Sequence, residues 1–80
     1  MGIDKDLSVI ASELSQAKRQ PELKQRLREL LTDRELEEIA KRLRIFQLLE
    51  EGWSQREIAK ELGVGVATVS RGAKELRRRG

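Results

Sequence analysis

The chain has 80 residues, enough for one domain with a thin margin of buried surface. It contains no Cys and no His, which removes disulfides as reinforcement and speaks against a bound metal, so oligomerisation is the expected remedy. Seventeen basic residues stand against fourteen acidic ones, but unevenly. The first 53 residues carry ten basic against eleven acidic, and the stretch from Ser54 onward seven against three. A basic end on a neutral body points to a polyanionic partner. With no run of about 20 apolar residues and no signal-peptide pattern, the chain reads as a cytoplasmic protein without a membrane partner.

Apolar residues recur at helical spacing throughout, and nothing alternates long enough to be a strand, so the fold class is all-α with five helices. The first is expected from about Asp4 to Lys18, with Leu7, Ile10, Ala11 and Leu14 on one face. Pro21 suits the first position of the second, lined by Leu23, Leu27 and Leu30. Thr32-x-x-Glu35 is a capping box opening the third, which carries Leu36, Ile39, Leu43, Phe46 and Leu49 and stops at Gly52. Phe46 and Trp53 are the only aromatics, too few for a base-stacking platform, and are assigned to a core or interface. Ser54-x-x-Glu57 opens the fourth helix, which buries Ile58, Ala59 and Leu62. The fifth starts near Val66 and buries Val66, Val69, Ala73 and Leu76.

The last two helices carry the functional pattern. Ala59 is small where a crossing helix comes close. Gly63, four residues on, suits a left-handed turn, and Val69, ten residues on, is an inward aliphatic. Small residue, Gly and aliphatic at that spacing between two helices is the helix-turn-helix pattern, and 54–79 is the DNA-reading head. Residues 1–53 form the remaining helical body of a single domain expected to span 1–80. Ala67, Thr68 and Ser70 near the start of the fifth helix reach base edges in the major groove of double-stranded DNA. Gln55 and Arg56 flank them from the fourth helix, Arg56 long enough for guanine or a phosphate. Lys60, Lys74 and Arg77 are assigned to phosphates. An enzyme is excluded as a reading: the chain has no His or Cys nucleophile system, no phosphate-cradling glycine loop after a strand and no isolated carboxylate pair.

The run Leu62-Gly-Val-Gly-Val-Ala-Thr-Val-Ser-Arg-Gly72, with Ser54-Gln-Arg-Glu57 before it, resembles the signature of the bacterial Trp repressor family. The resemblance extends upstream through Leu31-Thr32 and Arg42-Leu-Arg-Ile45, covering about Leu31 to Leu76. It implies an intertwined homodimer with residues 1–53 as its helical dimerisation core, a palindromic operator and repression of transcription, with L-tryptophan as corepressor. By the same resemblance Arg42 and Arg71 would sandwich the indole, and Thr32, Thr68 and Gly72 would complete the pocket. Three differences from the family pattern stand beside it. Glu75 occupies the place of a small hydroxyl residue, the connection between the third and fourth helices is one residue shorter, and the pattern's last helix is not reached. A second function stays open at this point: a helical oligomerisation module, engineered or truncated, that keeps the fold without operator binding.

Overall fold

The computed structural model describes residues 2–79, without the side chain of Arg79. Five α-helices follow one another: α1 (Ile3–Ser15), α2 (Gln20–Leu30), α3 (Asp33–Glu50), α4 (Gln55–Leu62) and α5 (Val66–Arg79), with no strand among the described residues. They fall into two compact units, Met1–Leu36 and Glu37–Gly80.

In the first unit α1 packs on α2. Its helix ends at Ser15, three residues short of the expected Lys18. The N–H groups of Gln16 and Ala17 reach back only three residues, to Glu13 and Leu14, which tightens and closes the last turn. No Gly or Pro marks this stop in the sequence. Arg19 is then extended, and Pro21 sits in the second rather than the first position of α2. Leu14 and Leu27 are half-buried, and the Arg26 guanidinium donates to the Glu13 carboxylate. Neither helix has a fully buried residue. Leu7 and Ile10, expected on an apolar face, are exposed within this chain, as are Ile3, Val9, Leu23 and Leu30.

The second unit holds the core. Ile45 and Leu48 of α3, Ile58 and Ala59 of α4 and Val69 of α5 form one buried cluster, with Leu49, Trp53, Leu62 and Val64 packed against it. The connection from α3 to α4 is fixed by a Schellman motif. Gly52 has φ 96°, its N–H bonds the Leu49 carbonyl at 3.0 Å, and the Trp53 N–H bonds that of Leu48 at 3.1 Å. Ser54 then caps α4: its Oγ accepts the Glu57 N–H at 3.1 Å and its own N–H donates to Glu57 Oε1 at 2.8 Å. At the far end Gly63 is left-handed, with φ 67° and ψ 36°, and both its N–H and that of Val64 return to the Ala59 carbonyl. The predicted turn, and the inward Ala59 and Val69, are therefore as the spacing required. Val66 is not buried as expected. It is 47% exposed in the first turn of α5.

Both capping carboxylates titrate low. Backbone and then hydroxyl hydrogen bonds from Ser54 hold Glu57 below the ordinary carboxylate value, and Thr32 does the same to Glu35. A depressed folded-state pKa contributes stability above the unfolded value of about 4.3, lost as pH falls through the lower folded value. Glu57→Gln keeps an acceptor for the Ser54 N–H but takes up no proton. Its unfolding midpoint should therefore fall less steeply below about pH 4.3 than that of the parent chain, followed by circular dichroism.

Candidate nucleic-acid interface and adjoining groove

The geometry of α4 and α5 follows from two burial constraints. Ile58 and Ala59 face inward from α4 and Val69 and Ala73 from α5, so the intervening positions turn outward. On α4 this leaves Arg56 and Lys60 exposed and Gln55 half-buried. On α5 it leaves Ala67, Ser70, Arg71, Lys74 and Arg77 exposed, with Thr68 half-buried. The first residues of α5 are tied to Gly65, whose carbonyl accepts the N–H groups of Thr68 and Val69 at 3.1 and 3.4 Å. The two helices are also joined across their outer side, where the Ser70 Oγ donates to Gln55 Oε1 at 2.6 Å. Fifteen residues apart in sequence, these side chains carry no local signal of the pairing.

Behind this surface, α3 and α5 enclose an open groove of about 950 Å³. Arg42, Thr68, Arg71 and Gly72, four of the five residues proposed from the sequence for a ligand, line it together. Thr32 belongs to the other unit, where its Oγ1 accepts the Glu35 N–H at 3.1 Å and its own N–H donates to the Glu35 carboxylate at 2.8 Å. Lys74, assigned from the sequence to phosphate, also faces the groove. Ile45 and Phe46 supply apolar wall, and Glu38, Lys41, Glu75 and Arg78 complete the lining. Glu75 and Phe46 are marked in the sequence, as a difference from the family pattern and as a core or interface ring, whereas Glu38, Lys41 and Arg78 carry no such mark. The spacing of Lys41, Arg42, Ile45 and Phe46 on α3 against Thr68, Arg71, Glu75 and Arg78 on α5 would have found them, since each set recurs at three or four residues. Five cationic side chains against two carboxylates make the groove positive. Glu75 accepts a hydrogen bond from Arg78 at 3.1 Å, an exposed pair of little energetic weight.

Gly72 is buried, and its place in the groove wall has a steric cause. A Cβ on it would lie 2.7 Å from Ile45 Cγ2. That methyl branches next to the backbone of a residue only 2% exposed, so it cannot swing aside. Glycine at 72 is what lets α5 approach α3. Among the described residues no cluster of acidic, His or Cys side chains could hold a metal, and no helix is long and apolar enough to cross a membrane.

A profile of the Trp repressor protein family matches residues 5–80. A Trp operon repressor homolog of Aliivibrio fischeri is 42% identical over 72 residues, which is 89% of this chain and 63% of that protein. One of Vibrio cholerae is 40% identical over 67 residues, 82% of this chain and 65% of its own length. One of Xylella fastidiosa is 44% identical over 48 residues, 59% of this chain and 52% of its own. The chain thus spans a little under two thirds of the length of the first of these relatives. No solved structure matches it.

Alanine normally gains about 1 kcal/mol over glycine inside a helix. At position 72 the clash outweighs that gain, and Gly72→Ala should destabilise the chain by about 1–3 kcal/mol in chemical denaturation. Added to Ile45→Ala, which removes the opposing methyl, the same substitution should cost measurably less; equal costs in the two backgrounds would contradict the contact.

Proposed function

The chain belongs to the Trp repressor family, a family of transcription regulators and not of enzymes, and from that premise we propose a cytoplasmic homodimeric repressor that binds a palindromic operator with L-tryptophan as corepressor. The observation that carries the DNA-binding reading is the α4–α5 pair. Its turn is set by Gly63, its inner side by Ile58, Ala59 and Val69, and its outer side presents Ala67, Ser70 and Arg71 beside Arg56. The Ala67 and Thr68 methyl groups suit the thymine methyl, and Ser70 suits a polar base edge. Arg56 suits guanine or a phosphate. Lys60, Lys74 and Arg77 add charge for phosphates, which set register and supply most of the affinity without reading sequence.

The homodimer rests on the first unit. A helical pair with no fully buried residue and with Ile3, Leu7, Val9, Ile10, Leu23 and Leu30 exposed cannot gain its stability alone. A second copy laid against those side chains would bury them, and a two-fold pair suits a palindromic operator with half-sites about one helical turn apart. An oligomerisation module without operator binding would use the same face. Charge reversal separates the two. Arg56→Glu with Arg71→Glu should abolish duplex binding in fluorescence anisotropy while sedimentation still reports a dimer. The parent complex should lose roughly 10³-fold in affinity between 50 and 200 mM salt. A parent chain that dimerises without binding duplex would leave only the oligomerisation module, and binding that is flat in salt or untouched by the double reversal would remove this surface from the DNA contact.

The groove's side chains fit an aromatic amino acid. Ile45 and Phe46 offer apolar wall to a ring, and the Arg42 and Arg71 guanidiniums can stack on its faces and meet its carboxylate. Bound there, such a ligand would brace α5 against α3. Calorimetric titration with L-tryptophan should give saturable heat in the parent chain and none in Arg42→Ala. Absence of heat at millimolar ligand would remove the corepressor from this account.

A further inference from the structure

The Gln55–Ser70 hydrogen bond bears on what α5 reads. A serine hydroxyl inside a helix commonly spends its one proton on the carbonyl four residues back. Two serines here do so: Ser8 donates to the Asp4 carbonyl at 3.1 Å and Ser15 to that of Ala11 at 2.6 Å. Ser70 does not. Its proton crosses to Gln55 Oε1 on the neighbouring helix, at 2.6 Å, the short end of the range for such bonds. Both ends of the bond are held. Gln55 is the first residue of α4, directly after the cap in which Ser54 and Glu57 exchange two hydrogen bonds. Ser70 follows Val69, whose complete burial sets the rotation of α5 and turns Ser70 outward.

A hydroxyl has one proton and two lone pairs. With the proton committed to Gln55, what Ser70 offers outward is lone pairs alone. In the major groove, adenine N6 and cytosine N4 donate, whereas guanine O6 and N7 and thymine O4 accept. We infer that Gln55 is a positioning residue that holds the Ser70 proton, so that Ser70 meets DNA only as an acceptor and selects adenine or cytosine at the base it faces. The inference rests on the DNA-reading function proposed above. It adds a direction of hydrogen bonding to a residue type that otherwise accommodates either kind of edge.

The test is selection of binding sites from random duplexes by the parent chain and by Ser70→Ala, Ser70→Thr, Gln55→Leu and Gln55→Glu, each checked for cooperative thermal unfolding. The position Ser70 faces is the one whose base preference Ser70→Ala erases. There the parent should favour the amino-bearing bases by about ten-fold over guanine and thymine. Gln55→Leu frees the hydroxyl proton and should bring the four bases to near parity. Gln55→Glu, a stronger acceptor, should keep the preference while weakening binding to every duplex through its charge. Ser70→Thr should keep it as well. A preference for guanine or thymine at that position, or one that Gln55→Leu leaves unchanged, overturns the pairing while the DNA-reading function stands. A parent chain that selects no site overturns both.

Discussion

Leu48 of α3, Ile58 of α4 and Val69 of α5 are each sealed from solvent, and these three side chains decide where everything else in the second unit points. An eight-residue helix such as α4 has little stability of its own, because nucleating a helix is costly and short ones are marginal in water. It is held at its start by the Ser54–Glu57 box, at its end by Gly63, and along its length by Ile58 and Ala59 against the cluster. Once Val69 is seated, the rotation of α5 is fixed. Ser70 and Arg71 turn outward, while Gly72 and Ala73 turn in against the body of the unit. The same packing therefore builds two surfaces, an outer one of Arg56, Ala67 and Ser70 and a groove walled by Arg42, Arg71 and Gly72.

Arg71 and Thr68 lie where these surfaces meet. Thr68 lines the groove and is also one of the early residues of α5, and Arg71 is exposed on α5 while lining the groove. Whatever fills the groove acts on the same side chains that stand near the outer surface. Gly72 makes this coupling tight, because its missing Cβ removes any spacer between α5 and Ile45. The positive balance of the groove favours a ligand with an anionic group. Glu75, engaged with Arg78 on its rim, sets it apart from a uniformly cationic cleft.

Much of this was legible in the sequence where the physics is local. Thr32-x-x-Glu35 and Ser54-x-x-Glu57 form the reciprocal bonds their spacing announces, and Gly52 and Gly63 take the left-handed conformations that end α3 and α4. Ala59, Val69 and Ala73 were identified as inward because helical periodicity reports burial well in the middle of an element. It reports less at the ends. Val66 has the right period but sits half-exposed in the first turn of α5, and α1 closes at Ser15 through three-residue bonds that no residue type advertises. Leu7 and Ile10 have the pattern of a buried face, yet burial depends on what lies against them, which one chain does not supply. The Gln55–Ser70 bond and the close approach of Gly72 to Ile45 join residues far apart in sequence, so only the fold brings them into view.

The outer side of α4 and α5 is the surface proposed to meet DNA. It is tested most directly by following backbone amide resonances while a duplex carrying a selected site is titrated into the protein. The largest shifts should fall at Gln55, Arg56 and the start of α5 through Arg71, with smaller ones along α1 and α2. Shifts concentrated on α1 and α2, or none at saturating duplex, would contradict it.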